Sequence, residues 1–184
     1  RHAAKITLLD KYVGDLLKQL KKMDELDNTI IVFTSDNGPH RGGGANPTFF
    51  NSSGNLRGHK RDVYEGGIRV PLIVYWDGKI QKNTVSNHVA GFQDIMVTLA
   101  EMADIDVPEQ SMGISMFPEL LGNHKEQQSH EQLNWEIQLD GDWQKLKNGG
   151  FYQSVRIDNW KAVRYGINMP VEIYDLKNDV SETN

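Results

Sequence analysis

Between Ala3 and Met23, the residues Ile6, Leu9, Val13, Leu16, Leu17 and Leu20 recur at spacings of three and four, and Lys5, Lys11, Lys18 and Lys21 fall mostly on the other face. That period predicts an amphipathic helix, in which Gly14 lowers the propensity but permits close packing. The Asp24–Thr29 stretch ends it. Ile30-Ile31-Val32-Phe33-Thr34 follows, a run apolar on both sides, which predicts a strand covered on both faces as in an α/β sheet. Val70-Pro71-Leu72-Ile73-Val74-Tyr75-Trp76 reads as a second such strand, closed by the turn Asp77-Gly78. Helices are expected at Asp94–Ala103, where Ile95, Leu99 and Met102 share a stripe, and around Ser115–Leu121.

The pattern changes after His124. Lys125–His130 is polar and linker-like, and beyond it Leu133–Leu139, Tyr152–Ile157, Trp160–Tyr165 and Val171–Leu176 predict short antiparallel strands. Asp158-Asn159 suits the turn of a tight hairpin. Trp135, Trp143, Tyr152, Trp160, Tyr165 and Tyr174 read as the core of this sheet rather than as a sugar platform. The expected fold class is therefore α/β over residues 1–125, followed by a small antiparallel β subdomain over residues 126–184.

Composition narrows the functions. The 184 residues carry 20 Lys+Arg against 25 Asp+Glu, a net charge of −5, which does not suit a reader of the nucleic-acid backbone. No apolar run is long enough for a membrane span. With no cysteine, disulfides, thiolate metal sites and cysteine nucleophiles are excluded from this chain. The first residues, Arg1-His2-Ala3-Ala4-Lys5, resemble neither a start nor a targeting segment, so the chain is expected to begin inside a longer protein.

Residues 35–69 carry the candidate chemistry, although each of their two clusters taken alone also reads as ordinary loop: Asp36-Asn37-Gly38 as a plain turn, and residues 57–61 as a solvated basic loop. Glycines recur at Gly38, Gly42, Gly43, Gly44, Gly54, Gly58, Gly66 and Gly67, in a connection far longer than compact domains normally use without a functional reason. Ser35-Asp36-Asn37-Gly38-Pro39-His40 comes directly after the first strand, where α/β sheets place their ligands. Asp36 and Asn37 offer hard oxygen atoms suited to Ca²⁺ or Mg²⁺, provided the chain turns so that neighbouring side chains face one ion; Gly38-Pro39 supplies a turn. Arg57, His59, Lys60 and Arg61 crowd a second glycine-rich segment, which suits a phosphate or sulfate oxyanion. Glu65, before two glycines, is expected to fix this loop by hydrogen bonds rather than to act as an acid or base.

The combination Thr34-Ser35-Asp36-Asn37-Gly38, a glycine-rich stretch, then Lys60-x-x-x-Tyr64-Glu65-Gly66-Gly67-x-Arg69-x-Pro71 resembles the formylglycine-dependent sulfatases of the alkaline-phosphatase-like superfamily. The likeness continues through Phe92-Gln93-Asp94, Glu101-Met102-Ala103, Trp160-Lys161-Ala162-Val163-Arg164 and Glu172-Ile173-Tyr174-Asp175-Leu176, with Asp179 and Glu182. It spans the whole chain and corresponds to the C-terminal half of such an enzyme. The resemblance implies hydrolysis of a sulfate ester with Ca²⁺, with Asp36 and Asn37 as metal ligands and Lys60 as the catalytic cation beside the bridging oxygen. It makes His40, Arg57, His59 and Arg61 candidate substrate contacts.

That family draws its nucleophile from Cys/Ser-x-Pro-x-Arg. The residues two before the six prolines are Asn37, Ala45, Arg69, Asp106, Met116 and Asn168, so the motif is absent and the formylglycine is expected upstream. This polypeptide alone is accordingly expected to be inactive, and to self-associate through apolar surface around Ile30–Phe33 and Val70–Val74. The implied partners are sulfated carbohydrates or aryl sulfates, and the implied setting of the parent enzyme is periplasmic or extracellular. Two readings remain beside this one: a phosphatase or phosphodiesterase of the same superfamily, and a non-catalytic glycan-binding module.

Overall fold

The computed structural model describes residues 2–139 and 147–184. The chain forms two compact units, Arg1–Phe33 with Leu72–His130, and Thr34–Pro71 with Glu131–Asn184. Chain order and packing therefore differ: the glycine-rich connection belongs with the C-terminal residues.

In the first unit, α1 (His2–Lys22) matches the predicted helix and ends on Lys21 and Lys22, whose charge suits the carbonyl end of the helix dipole. Lys11 pairs with Asp15 at 2.5 Å and holds that carboxyl below its ordinary pKa. No residue of α1 is buried. Strands β1 (Ile31–Thr34) and β2 (Leu72–Tyr75) form a two-stranded sheet. Val32, Leu72 and Val74 share an interior gap with Ile95, Leu99 and Met102 of α3 (Gln93–Met102). Among the described residues the sheet has no third strand, and Phe33 at 37%, Leu72 at 41% and Ile73 at 59% remain exposed. The expected cover on both faces is thus not present here.

Asp94, at the start of α3, is fully buried and accepts from the amides of Gly91 (2.7 Å) and Ile114 (2.8 Å). His130 Nε2 lies 2.8 Å from the same carboxylate, so this buried charge is fully partnered. The short α4 (Phe117–Leu120) carries Pro118 in its first turn, where the missing N–H costs nothing.

In the second unit, β3 (Leu133–Gln138), β4 (Phe151–Ile157), β5 (Trp160–Tyr165) and β6 (Glu172–Asp175) form one antiparallel sheet in chain order. Ile157 pairs with Trp160 across the predicted two-residue turn, with Asp158 at φ 50°. The core joins Val63 and Tyr64 of the glycine-rich connection to Tyr152, Val163, Tyr174 and Leu176.

The period-2 alternation decides which aromatics belong to that core. Lys161, Val163 and Tyr165 share one side of β5, and Lys161 and Val163 are its most buried residues. Trp160 takes the opposite side and is 58% exposed, against the expectation that it is core. Trp143 lies outside the described residues.

One further element departs from the sequence reading. Glu65–Ile68 forms a single helical turn, α2, inside the stretch read as loop. Gly66-Gly67 disfavours a helix intrinsically. Here the Arg69 amide closes the turn on the Glu65 carbonyl at 2.7 Å, and the Glu65 side chain is anchored in the unit's interior.

Candidate active site

The chain leaves β1 at Thr34 and bends through Asp36–Gly38, as joint use of adjacent side chains requires. Ser35 Oγ donates to the Asn37 carbonyl at 3.0 Å, and Asn37 Nδ2 donates to the Gly38 carbonyl at 2.9 Å. The amide nitrogen of Asn37 is thereby occupied while its oxygen stays available. Asp36 is exposed, and its carboxylate makes no hydrogen bond or ion pair among the described residues.

Two backbone bonds tie this bend to the second cluster. The Gly38 amide donates to the Gly67 carbonyl at 2.8 Å, and the Lys60 amide donates to the Pro39 carbonyl at 2.9 Å. Such contact demands glycine. A methyl on Gly38 would lie 2.9 Å from the Gly66 carbonyl carbon and the Gly67 Cα, and one on Gly66 would lie 2.5 Å from the Arg57 carbonyl oxygen. Three backbone segments, at 38, 57–62 and 66–67, cross where side chains have no room. The crossing brings the two sequence clusters together through the main chain.

Lys60 is half-buried on this crossing, and its ammonium makes no ion pair among the described residues. Its neighbour Arg61 has φ 81°, a left-handed conformation costly for a residue with a Cβ. Backbone strain beside a candidate catalytic residue persists only where the surroundings impose it. His59 places Nδ1 3.1 Å from Asp62 Oδ2, which also accepts from the His59 amide at 3.0 Å. Tyr165 donates to Asp62 Oδ1 at 3.1 Å, so the sheet steadies this part of the loop. His40 is exposed, and its imidazole lies over Gly42.

Arg57 is placed differently from the other candidates. It donates to the Tyr174 hydroxyl at 2.9 Å and to the Glu182 carbonyl at 2.7 Å, and its guanidinium sits 3.8 Å from the Tyr64 ring centre. Burial alone would lower its pKa, but the hydrogen bond to Tyr174 and the neighbouring Tyr64 and Glu172 outweigh it and raise the value. Much of its donor capacity is therefore used within the unit. The hydroxyls of Tyr64 and Tyr174 both donate to Glu172 Oε2 at 2.6 Å; burial pushes both phenols up, and the acceptor carboxylate adds to this.

Glu65 acts as anticipated. It is 2% exposed, and its carboxylate takes Lys161 Nζ at 2.9 Å, with Arg69 and Arg156 each at 3.8 Å. Sequence reasoning missed Lys161 and gave Glu182 no role. Parity was the available signal for the first: in Trp160–Tyr165, Lys161 falls on the side of Val163 and Tyr165.

The bend thus offers a carboxylate and an amide oxygen, and the loop bonded to it through the main chain carries His59, Lys60 and Arg61. Residues 1–105 match the Sulfatase family model, and residues 58–184 match N-sulphoglucosamine sulphohydrolase, C-terminal. The chain belongs to the sulfatase family. It is 30% identical to an N-acetylgalactosamine-6-O-sulfatase of Bacteroides thetaiotaomicron, over 97% of this chain and 37% of that protein. With human arylsulfatase A the identity is 36%, over 64% of this chain and 22% of that protein. A solved structure described as in complex with its substrate, D-glucosamine-2-N,6-O-disulfate, superposes with a TM-score of 0.73 at 25% identity, covering 97% of this chain and 34% of that one. The chain thus spans a minor part of the length of these relatives.

The donors present fit the calcium ion implied by the family as a partial set. Asp36 and Asn37 offer hard oxygens with no competing cation, and no group of three His, Cys, Asp or Glu gathers at metal-binding spacing among the described residues. Ca²⁺ ordinarily takes about 6–8 oxygens, so this pair would supply a minority of them. No helix among the described residues is long and apolar enough to cross a membrane.

Proposed function

We propose that this chain forms part of a calcium-dependent sulfatase acting on a sulfated carbohydrate, outside the cytoplasm, and that it contributes Asp36, Asn37 and Lys60 to the active site. The observation that carries the reading is the main-chain bond between Lys60 and Pro39, which joins the cation-bearing loop to the oxygen-bearing bend. The substrate class is supported by relatives whose names specify sulfated amino sugars.

In this reading Asp36 and Asn37 would hold the metal through Oδ atoms as part of its ligand set. When bound, the ion supplies Lewis-acid polarisation of the sulfate oxygens and a template for the ester. Lys60 would meet the negative charge that grows on the leaving alcohol oxygen as a nucleophile from outside this chain bonds to sulfur and the ester S–O bond breaks. A fixed ammonium at that point acts mainly in the transition state, as differential stabilisation requires. His40, His59 and Arg61 are assigned to the substrate around the sulfate. Arg57, with its bonds to Tyr174 and Glu182, is assigned to holding the loop that carries them.

Calcium calorimetry on the purified chain and Lys60→Ala in the parent enzyme test this reading. The chain is expected to bind Ca²⁺ weakly and to lose that binding in Asp36→Ala, without turnover of an aryl sulfate in either form. In the parent, Lys60→Ala is expected to lower kcat about 10²–10³-fold, the usual loss for one well-placed donor. Calcium binding that survives Asp36→Ala, or full kcat after Lys60→Ala, overturns it.

A further inference from the structure

The last residues of the chain reach the loop that carries Lys60 through one buried side chain. Glu182 is fully buried, and its Oε2 accepts from the Glu65 amide at 2.7 Å. Its Oε1 lies 2.9 Å from Lys161 Nζ, which also donates to Glu65 Oε1 at 2.9 Å. The Glu182 carbonyl accepts from Arg57 at 2.7 Å. A single tail residue therefore grips both ends of the segment 57–65, in which Lys60 lies.

The tail is itself braced. Asp179 Oδ2 accepts from the amides of Thr183 (2.7 Å) and Asn184 (2.8 Å), and Glu182 has φ 54°. A left-handed glutamate, buried with two further charges, is an expensive way to gain stability alone. Buried ion pairs commonly add little net stability, because desolvation offsets the attraction. What the arrangement does provide is geometry. It fixes the Glu65 amide, which begins the turn that places Gly66-Gly67 against Gly38, and so sets the distance between the bend and Lys60.

We propose that Glu182, acting through Lys161 and Glu65, is a positioning residue for the active-site loop, and that residues 179–184 are a latch whose docking assembles the Lys60 loop against the Asp36–Asn37 bend. The proposal deepens the sulfatase reading and rests on it for its functional meaning; the latch can be measured without it.

Amide hydrogen exchange on the 184-residue chain, read by NMR, tests the latch. In the isosteric Glu182→Gln, the Lys60, Glu65 and Gly38 amides are expected to exchange at least about tenfold faster, while Val163 in β5 keeps its protection. Equal acceleration in β5, or none in the loop, overturns the proposal by making Glu182 a general stabiliser or a bystander. A wild-type measurement covers failure of the variant to fold: in rising denaturant, Glu65 and Thr183 should merge into one opening event before β5 opens, and separate openings overturn the latch. Titration with calcium chloride then separates the two ideas. Loop exchange that responds to Glu182→Gln while neither protein binds Ca²⁺ sinks the assignment of Asp36 and Asn37 as metal ligands and leaves the latch standing.

Discussion

Replacing Gly38 by alanine probes the crossing on which the site depends. The added methyl would meet the Gly66 carbonyl carbon and the Gly67 Cα at 2.9 Å, and the Gly66 carbonyl oxygen at a shorter distance still. Non-bonded atoms pack at about 3.5–4.0 Å, so relieving the oxygen contact, the tightest of the three, requires the two strands of backbone to part by more than about 1 Å. That movement breaks the bond from the Gly38 amide to the Gly67 carbonyl. Overpacking of this kind costs about 1–3 kcal/mol, and a lost hydrogen bond about 0.5–1.5 kcal/mol, which gives a destabilisation of about 2–4 kcal/mol. Gly44→Ala is the control, since Gly44 has φ 80° but no atom within 4 Å of an added methyl. It should cost only about 1–2 kcal/mol from backbone strain. Urea unfolding of the chain measures both. In the parent enzyme a shift near 1 Å between reacting groups is worth about 10² in rate, so Gly38→Ala should lose activity on that scale. Equal stability losses for the two variants, or an active Gly38→Ala enzyme, would refute the argument that backbone contact sets the site.

Lys161→Met leaves the buried carboxylates of Glu65 and Glu182 without their shared cation and should destabilise the chain by about 3–5 kcal/mol in urea; a loss under 1 kcal/mol would show that Arg69 and Arg156 already neutralise them. The Glu182 carboxyl is raised above its ordinary 4.5 because burial disfavours the charge, an effect that Lys161 and the Glu65 amide only partly offset. For a raised value, the contribution to stability is fully present below 4.5 and is lost as pH rises through the raised pKa. The margin of wild type over Glu182→Gln should therefore be larger near about pH 4 than near about pH 7 in urea midpoints, and a margin that grows with pH contradicts it.

Much of the local structure was legible because each element carries its apolar residues at its own period, even in α1, where none of them is buried. Leu9, Val13 and Leu16 marked α1, Ile31–Thr34 marked β1, and Asp158-Asn159 marked the hairpin turn. The motif residues Asp36, Asn37 and Lys60 were equally visible, since oxygen and ammonium groups among glycines advertise chemistry by type. The sequence was silent where a side chain's surroundings depend on a partner far along the chain. Arg57 has the same chemical appearance as Lys60, and only the contacts with Tyr64, Tyr174 and Glu182 set it apart. Trp160 and Lys161 exchange their customary places, because the hairpin register turns the lysine toward Glu65 and leaves the tryptophan exposed.

Sequence by itself determined the strands and most of the helices, the family, and the residue types available for an oxyanion and a hard cation, because those follow from short-range periodicity and from side-chain chemistry. Tertiary structure alone decided that residues 34–71 pack with the C-terminal sheet, and that Glu182 reaches back 117 positions to the Glu65 amide. The reason is physical: a buried charge is tolerable only beside its counter-charge, and which groups meet is a property of the folded path, not of neighbours along the chain.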